Sequence, residues 1–286
     1  MPRQLEEKLI VAGFLISLTG ILLNLVWDAV NPPGVASPMI YNVIIGSVMT
    51  GFTFVHSKRY FGLLKTSVLF IATALISLYM EHYGVVTGAI YGAYHYGTSH
   101  GPKVFNTVPI IIPMSWFMFI YPSVIISNEI LSSETSLISF VKKGGNAFMI
   151  ILYAAVDSIT ATALDILTDP VWTSKGAWTW TSLDTLRPEE IFYKIPVQNY
   201  FGWLITTFMI FLIFRTVFFL KKEAFMEKDR IYHLPVFDYF AIFIVGTIQA
   251  WVLLKNPGLI FVSIMTLGFI SLVSLNKILQ YYEARS

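Results

Sequence analysis

Long apolar stretches, broken at short intervals by clusters of charge, glycine and proline, set the pattern of this chain. Eight of them reach or approach the ~20 residues that a helix needs to cross a hydrocarbon layer. They cover roughly residues 8–29, 39–56, 62–83, 108–127, 146–168, 199–220, 236–254 and 258–279. The second and seventh are the weakest, each being short or closely followed by another. None alternates as a barrel strand does, and an open strand in lipid would leave its backbone groups without partners. Each stretch therefore predicts a helix. The expected fold is all-α, a polytopic transmembrane helix bundle of about eight spans, with residues 1–286 forming a single integral membrane domain. Leu9–Trp27 is too long for a signal-peptide core and no small-residue cleavage site follows it, so it is expected to be retained.

Composition agrees with this pattern. The 286 residues are 56% hydrophobic and only 13% charged, against about 25% charged in soluble domains. A net charge of +2, dispersed along the chain, gives no footing for a nucleic-acid partner. With no cysteine, disulfides, thiolate metal sites and cysteine nucleophiles are excluded. Charge also sets an orientation. If the N-terminus is cytoplasmic and eight helices cross, 14 of the 19 Lys and Arg fall inside, including Lys58, Arg59, Lys142, Lys143, Arg215, Lys221, Lys222 and Arg285. Only Lys103, Lys175, Arg187, Lys194 and Lys255 fall outside, as the positive-inside rule requires. Both termini are thus expected to be cytoplasmic, in a multi-pass protein of the cell membrane.

This orientation makes two long connections extracytoplasmic, about residues 84–107 and 169–198. Both are poor in basic residues and rich in Gly, Tyr, Trp and Pro, a composition more typical of a site than of a framework connection. Acids that lie within spans are expensive and face a protein interior or a cavity. Asp28, Glu81, Asp165 and Asp169 fall at outer span ends, beside these loops. Asp157 lies deeper, about 16 Å along its helix at ~1.5 Å per residue. It is either a functional acid or a hydrogen-bonded strut between helices; Asp28 reads as structural.

Asp165 and Asp169 are spaced i, i+4 and so share a helix face. Pro170 biases Asp169 away from helical geometry, which predicts that the helix stops there. Close to a helix C-terminus, desolvated and mutually repelling, the pair should retain a proton, and a neutral carboxylic acid can donate one. Three tryptophans, Trp172, Trp178 and Trp180, follow closely. Aromatic faces stabilise cations, by roughly 2 kcal/mol where water is excluded, so acids beside indoles suit chemistry through a carbocation. The plainer alternative is that the tryptophans partition to the membrane interface and the two acids order a loop. His82, His95 and His100 with Glu81 could in principle hold one metal, but three histidines are too few for a di-iron pattern, and they are expected to be polar loop residues. Phosphate-binding glycine motifs, hydrolase elbows and HExxH are absent.

Three blocks together resemble the membrane carotenoid hydratases. The first, "EHYGVVTGAIYGAYHYG", carries Glu81, Gly84, Gly88, Tyr91, Gly92, Tyr94 and Tyr96, and leads into "VPIIIPMSW" with Pro109, Pro113 and Trp116. The second, "LDILTDPVWTSKGAWTW", is an Asp-x-x-x-Asp-Pro element followed by Gly176, Trp178 and Trp180. The third, "IPVQNYFGW", carries Pro196, Asn199, Gly202 and Trp203. The resemblance covers about residues 81–203. It departs at Met80, where the family has a small residue, and in "KIPVQNY", which replaces a Gly-Val-Pro version.

The resemblance implies a hydro-lyase of carotenoid biosynthesis that adds water to the terminal double bond of an acyclic carotenoid. Its partners would be that carotenoid, water and membrane lipid. Hydration needs no cofactor, and none is expected, nor a metal. Roles follow from the chemistry. Asp165 or Asp169 serves as the acid, and Glu81 positions water or acts as base. Trp172, Trp178, Trp180, Tyr91, Tyr94, Tyr96 and Trp203 line the polyene end, and Asn199 holds water. Two other classes fit parts of the pattern. A small transporter or proton pathway would spread its acids across the bilayer. A non-catalytic carotenoid-binding protein would tolerate Asn in place of its acids.

Overall fold

The computed structural model describes residues 2–31, 35, 37–98, 100–131, 146–220 and 228–283. Of the inner basic set, Lys142, Lys143, Lys221, Lys222 and Arg285 lie outside the described residues. Seven helices among the described residues are long and apolar enough to cross a membrane. They are α1 (Arg3–Val30), α2 (Met39–Thr87), α3 (Ile111–Leu131), α4 (Asn146–Ser174), α5 (Val197–Leu220), α6 (Leu234–Leu254) and α7 (Pro257–Glu283). The last two each include a short π-helical turn, at Ala250–Leu254 and Ile264–Gly268. The chain is therefore an all-α polytopic membrane protein.

The sequence separates residues 39–56 and 62–83 into two spans; in the 49 residues of α2 two helical arms meet with no intervening loop, at a kink where Gly62 is non-helical. A straight helix of that length would extend about 74 Å at ~1.5 Å per residue, more than twice the ~30 Å hydrocarbon layer. The chain reverses instead at Gly62, whose φ of 79° and ψ of 163° lie in a region open essentially to glycine alone. Ser57 Oγ lies 2.9 Å from Thr66 Oγ1, and the Phe54 ring is centred 5.3 Å from that of Phe70. Only a helix folded back on itself makes such contacts. The two expected spans are the arms of one tight hairpin with almost no loop.

The most enclosed of the long helices is α3, while α1 and α7 are the least enclosed. The hairpin α2 and helix α4 pack against α3, α5 lies against α4 and α2, and α1 rests on α2 and α6. Phe117, Tyr121, Val124, Leu164, Leu167, Phe211 and Phe214 form the dense centre of the core. Lipid is as apolar as these side chains, so close packing and polar contacts hold such helices together. Asp157 supplies one of those contacts. Arg215 grips it through two nitrogens, at 2.6 and 2.7 Å, and Ser127 donates to the same carboxylate. Of the two readings open for Asp157, the structure shows the interhelical strut, tying α4 to α5 and α3.

The two ends of the bundle differ. At the Gly62 end the connections carry ion pairs, Arg59–Asp229 at 2.8 Å and Lys228–Glu129 at 2.6 Å. His56 is fixed there between the Tyr121 hydroxyl at 2.7 Å and the Ile231 carbonyl at 2.9 Å. At the opposite end lie six short strands: β1 (Tyr94–Tyr96), β2 (Lys103–Val104), β3 (Val108–Pro109), β4 (Trp178–Trp180), β5 (Ile191–Phe192) and β6 (Ile195–Pro196). β2–β3 and β5–β6 are local hairpins. β1 and β4 pair antiparallel, with Tyr94 opposite Trp180, His95 opposite Thr179 and Tyr96 opposite Trp178. That ladder joins the two long aromatic connections into one cap.

One local expectation is overturned. The helix does not stop at Asp169: α4 continues through Pro170 to Ser174. Proline forfeits one backbone hydrogen bond, a loss that membrane helices absorb through neighbouring groups. Asp165 and Asp169 still share a face, but Asp169 sits before the final turn, so the macrodipole, which fades within that turn, contributes less than expected.

Candidate active site

Under the strand cap, six helices enclose a cavity of about 190 Å³. Glu81, Asp165 and Asp169 all line it, as do Tyr91, Tyr94, Tyr96, Trp172, Trp178, Trp180, Asn199 and Trp203. Every candidate site residue read from the sequence thus meets the same space, although these residues come from α2, α4, α5 and both long connections.

Glu81 lies about two turns before the end of α2 and is 5% exposed. Its Oε2 accepts hydrogen bonds from the Tyr94 and Tyr96 hydroxyls, the latter at 2.7 Å. Oε1 accepts from the Trp116 indole at 3.2 Å. Strand alternation explains the two phenols: Tyr94 and Tyr96 point to one face of β1 and His95 to the other, where it is exposed. Burial, and after it the negative charge of Glu81, push both phenols well above the usual tyrosine range, so they remain donors.

Asp165 and Asp169 are 4% and 2% exposed. A single side-chain amide, Asn199 in the first turn of α5, bridges them: Nδ2 donates to Asp165 Oδ2 at 3.0 Å and to Asp169 Oδ2 at 2.6 Å. Asp169 Oδ1 accepts from the Trp178 indole at 2.6 Å and from Thr173 Oγ1 at 3.3 Å. Asn199 thus orients the two acids through its amide nitrogen. Among the described residues no Lys or Arg pairs with Glu81, Asp165 or Asp169. The nearby cation Lys175 is engaged by Asp28 at 3.0 Å, which also accepts from Gln249 at 2.6 Å. Asp28 therefore acts structurally: Lys175, anchored by it, lies 4.5 Å over the Trp172 ring and fixes that wall of the cavity.

Much of the wall around the acids is aromatic. Trp116 and Trp203 stack face to face at 3.8 Å, Tyr94 lies 5.0 Å from Trp180, and Tyr96 meets Trp178 edge-on at 6.0 Å. His100 packs against Trp172 and Trp178 at 5.8 and 6.2 Å. Burial, and secondarily the charge of Lys175, lower its pKa to about 4, so it is a neutral ring in the wall. His82 bonds Thr107 at 2.8 Å. The three histidines do not converge, and among the described residues no group of three or more His, Asp or Glu is arranged to hold a metal.

Some of the site was not assigned from the sequence. Trp116, which the sequence marks only as part of a matching block, is a hydrogen-bond donor to Glu81 and the stacking partner of Trp203. His100, read from the sequence only as a polar loop residue, lines the cavity, and Thr173, a donor to Asp169, carried no signal. Its floor is an apolar patch that includes Ile21, Met49, Met118, Ile242 and Val245, drawn from α1, α2, α3 and α6. No local motif marks such a patch.

Fold and site define a class: a multi-pass helical membrane protein with a buried, acid-bearing and otherwise largely apolar chamber near one end of its spans. A family model described as "Carotenoid biosynthesis protein" matches residues 38–270, and the chain belongs to that family. Among curated proteins it is similar to bisanhydrobacterioruberin hydratase of Haloarcula japonica, 27% identical over 155 residues. That match covers 52% of this chain and 45% of the relative, so it spans less than half of the relative's length. No solved structure matches the chain.

Proposed function

We propose that this protein is a carotenoid hydratase, a hydro-lyase that adds water across the terminal C=C bond of an acyclic carotenoid to give a tertiary alcohol. The observation that carries this reading is the cavity itself, where three carboxyl side chains without a cation partner among the described residues face a chamber walled mainly by indoles, phenols and aliphatic groups, with a minority of neutral polar side chains such as Asn199, Asn42 and Gln249. The relative's name and the family support the same substrate class.

The chemistry balances without an oxidant or reductant. A carboxylic acid of the Asp165–Asp169 pair gives its proton to the less substituted alkene carbon. The π electrons form the new C–H bond, and a tertiary cation is left at the neighbouring carbon. Two adjacent buried carboxyls without a cation hold a proton between them more readily than two negative charges, so the pair suits the donor role. Trp116, Trp178, Trp180 and Trp203 surround the cation with π faces, which stabilise positive charge and keep stray water away. A water oriented by Glu81 then forms the C–O bond with an oxygen lone pair and passes its surplus proton to Glu81. Proton exchange with bulk water restores the starting state. The substrate enters from lipid, and the strand end faces the outside of the cell membrane, with both termini and the Gly62 end cytoplasmic.

Expression in a host that makes acyclic carotenoids, without oxygen and in ¹⁸O-labelled water, tests the reading. Products heavier by one or two waters that carry the label are expected. Unchanged carotenoid across several acyclic substrates would overturn it, and label arriving only from dioxygen would replace hydration with oxygenation.

A further inference from the structure

Resting on the hydration reading, we infer that the two acids of the pair are not interchangeable: Asp165 is the proton donor and Asp169 is its fixed carboxylate partner. The division follows from which oxygens are already occupied by donors.

Asp169 has donors on both oxygens. Oδ2 accepts from Asn199 at 2.6 Å, and Oδ1 accepts from Trp178 at 2.6 Å and Thr173 at 3.3 Å. An indole N–H and an amide NH₂ can only donate. A proton on either Asp169 oxygen would face a hydrogen already pointed at it, and a good charge-assisted bond would be lost. Asp165 is different. Its Oδ2 accepts from Asn199 at 3.0 Å, while Oδ1 has no donor among the described residues, and the side chain lines the cavity. Asp165 Oδ1 is the one oxygen of the pair free to carry the shared proton.

Asn199 makes the arrangement work as a positioning residue. One amide group spends its two hydrogens on the two carboxyls, which fixes their separation and directs the proton away from the Asn199 side. When Asp165 Oδ1 releases its proton to the alkene carbon, the electron pair of the O–H bond stays on Asp165. Both carboxylates then face the new cation, at the moment when a positive charge first exists to balance them. Asp169 thus contributes charge without exchanging a proton. In the reverse direction, the Asp165 carboxylate takes one of the hydrogens now on that carbon, so a proton delivered from solvent can be left behind in the alkene.

That reversibility gives a test in which a merely structural role would not register. In D₂O, reversible protonation washes deuterium onto the alkene carbon of recovered, unhydrated carotenoid, so wash-in reports the donor separately from water attack. Purified protein in detergent micelles would be given an acyclic carotenoid, with retained binding checked by quenching of tryptophan fluorescence. Asp165→Asn is expected to lose both hydration and wash-in, by about 1,000-fold within the range for a general acid. Asp169→Asn is expected to lose hydration while keeping measurable wash-in. Retained carotenoid binding, together with unfolding in mixed micelles of increasing denaturing detergent, guards against misfolding of the Asn variants.

Wash-in that survives Asp165→Asn and vanishes in Asp169→Asn would reverse the assignment and overturn it. Loss in both variants, with carotenoid still bound, would also overturn it, because the pair would then act as one unit. If the unmodified protein showed neither hydration nor wash-in, the hydration reading itself would fall, and this assignment with it.

Discussion

Replacing Asp157 with Asn separates a structural ion pair from a proton pathway. Asp157 and Arg215 are both fully enclosed, joined by two short contacts at 2.6 and 2.7 Å, and Ser127, Asn128 and the Val124 carbonyl also accept from the arginine. An enclosed guanidinium that loses its carboxylate has no solvent to turn to. Breaking such a pair by removing one partner costs about 3–5 kcal/mol, roughly two to four powers of ten in the folding equilibrium at ~1.4 kcal/mol per tenfold. The loss should be of similar size for Arg215→Met. The double variant Asp157→Leu with Arg215→Met removes both charges and the cost of burying them, so it should recover most of the loss. Unfolding in mixed micelles of increasing denaturing detergent measures the stabilities, and product formed per folded molecule measures function. Near-equal stability of all four proteins would refute the strut. So would a folded double variant that no longer turns over, which would place Asp157 on a proton path.

Three further outcomes are expected. Tyr96→Phe and Trp116→Phe each remove one donor to Glu81; a hydrogen bond to a charged group is worth about 1.5–3 kcal/mol. Turnover should fall roughly tenfold or more at little-changed carotenoid affinity, and equal rates would remove Glu81 from the mechanism. Gly202→Ala would set a methyl 2.5 Å from Tyr91 Cδ1 and 2.6 Å from the Ile90 carbonyl oxygen. Because backbone cannot yield as a side-chain tip can, a loss of ~1–3 kcal/mol is expected, readable in the same unfolding assay, together with a displaced Tyr91 wall. His100 titrates at about 4 in the folded chain, against ~6.5 when unfolded. Between those values the unfolded state binds more protons, so stability should fall as pH drops from about 6.5 to 4, by up to ~3 kcal/mol. His100→Phe should abolish that component of the pH dependence; an unchanged slope would show that His100 is not its source.

The chain's sequence by itself determined that it is a membrane bundle, because twenty apolar residues in a row have one stable form in lipid, and local hydrogen bonding satisfies their backbone. It also determined which polar groups were out of place. Glu81, Asp165 and Asp169 stood out because burying an acid is costly wherever it happens, and the i, i+4 spacing put two of them on one face regardless of where the helix ended. Local signals misled where a neighbour could compensate: Pro170 looked like a stop but is carried within α4, and residues 57–61, read as the connection between two spans, are helical, the reversal falling at Gly62.

Only the tertiary structure decided what each acid touches. Asp157 could not be distinguished from a functional acid until Arg215 was found against it, from a helix that the sequence places next but in no particular register. Tyr94 and Tyr96 reach Glu81, and Trp178 reaches Asp169, because β1 pairs with β4 in one register, and a slip of one residue would turn those side chains to the other face. The amide of Asn199 divides the two acids because α5 packs against α4. A sequence specifies the donors and acceptors that burial must satisfy, and the packing of helices distant along the chain decides which of them meet.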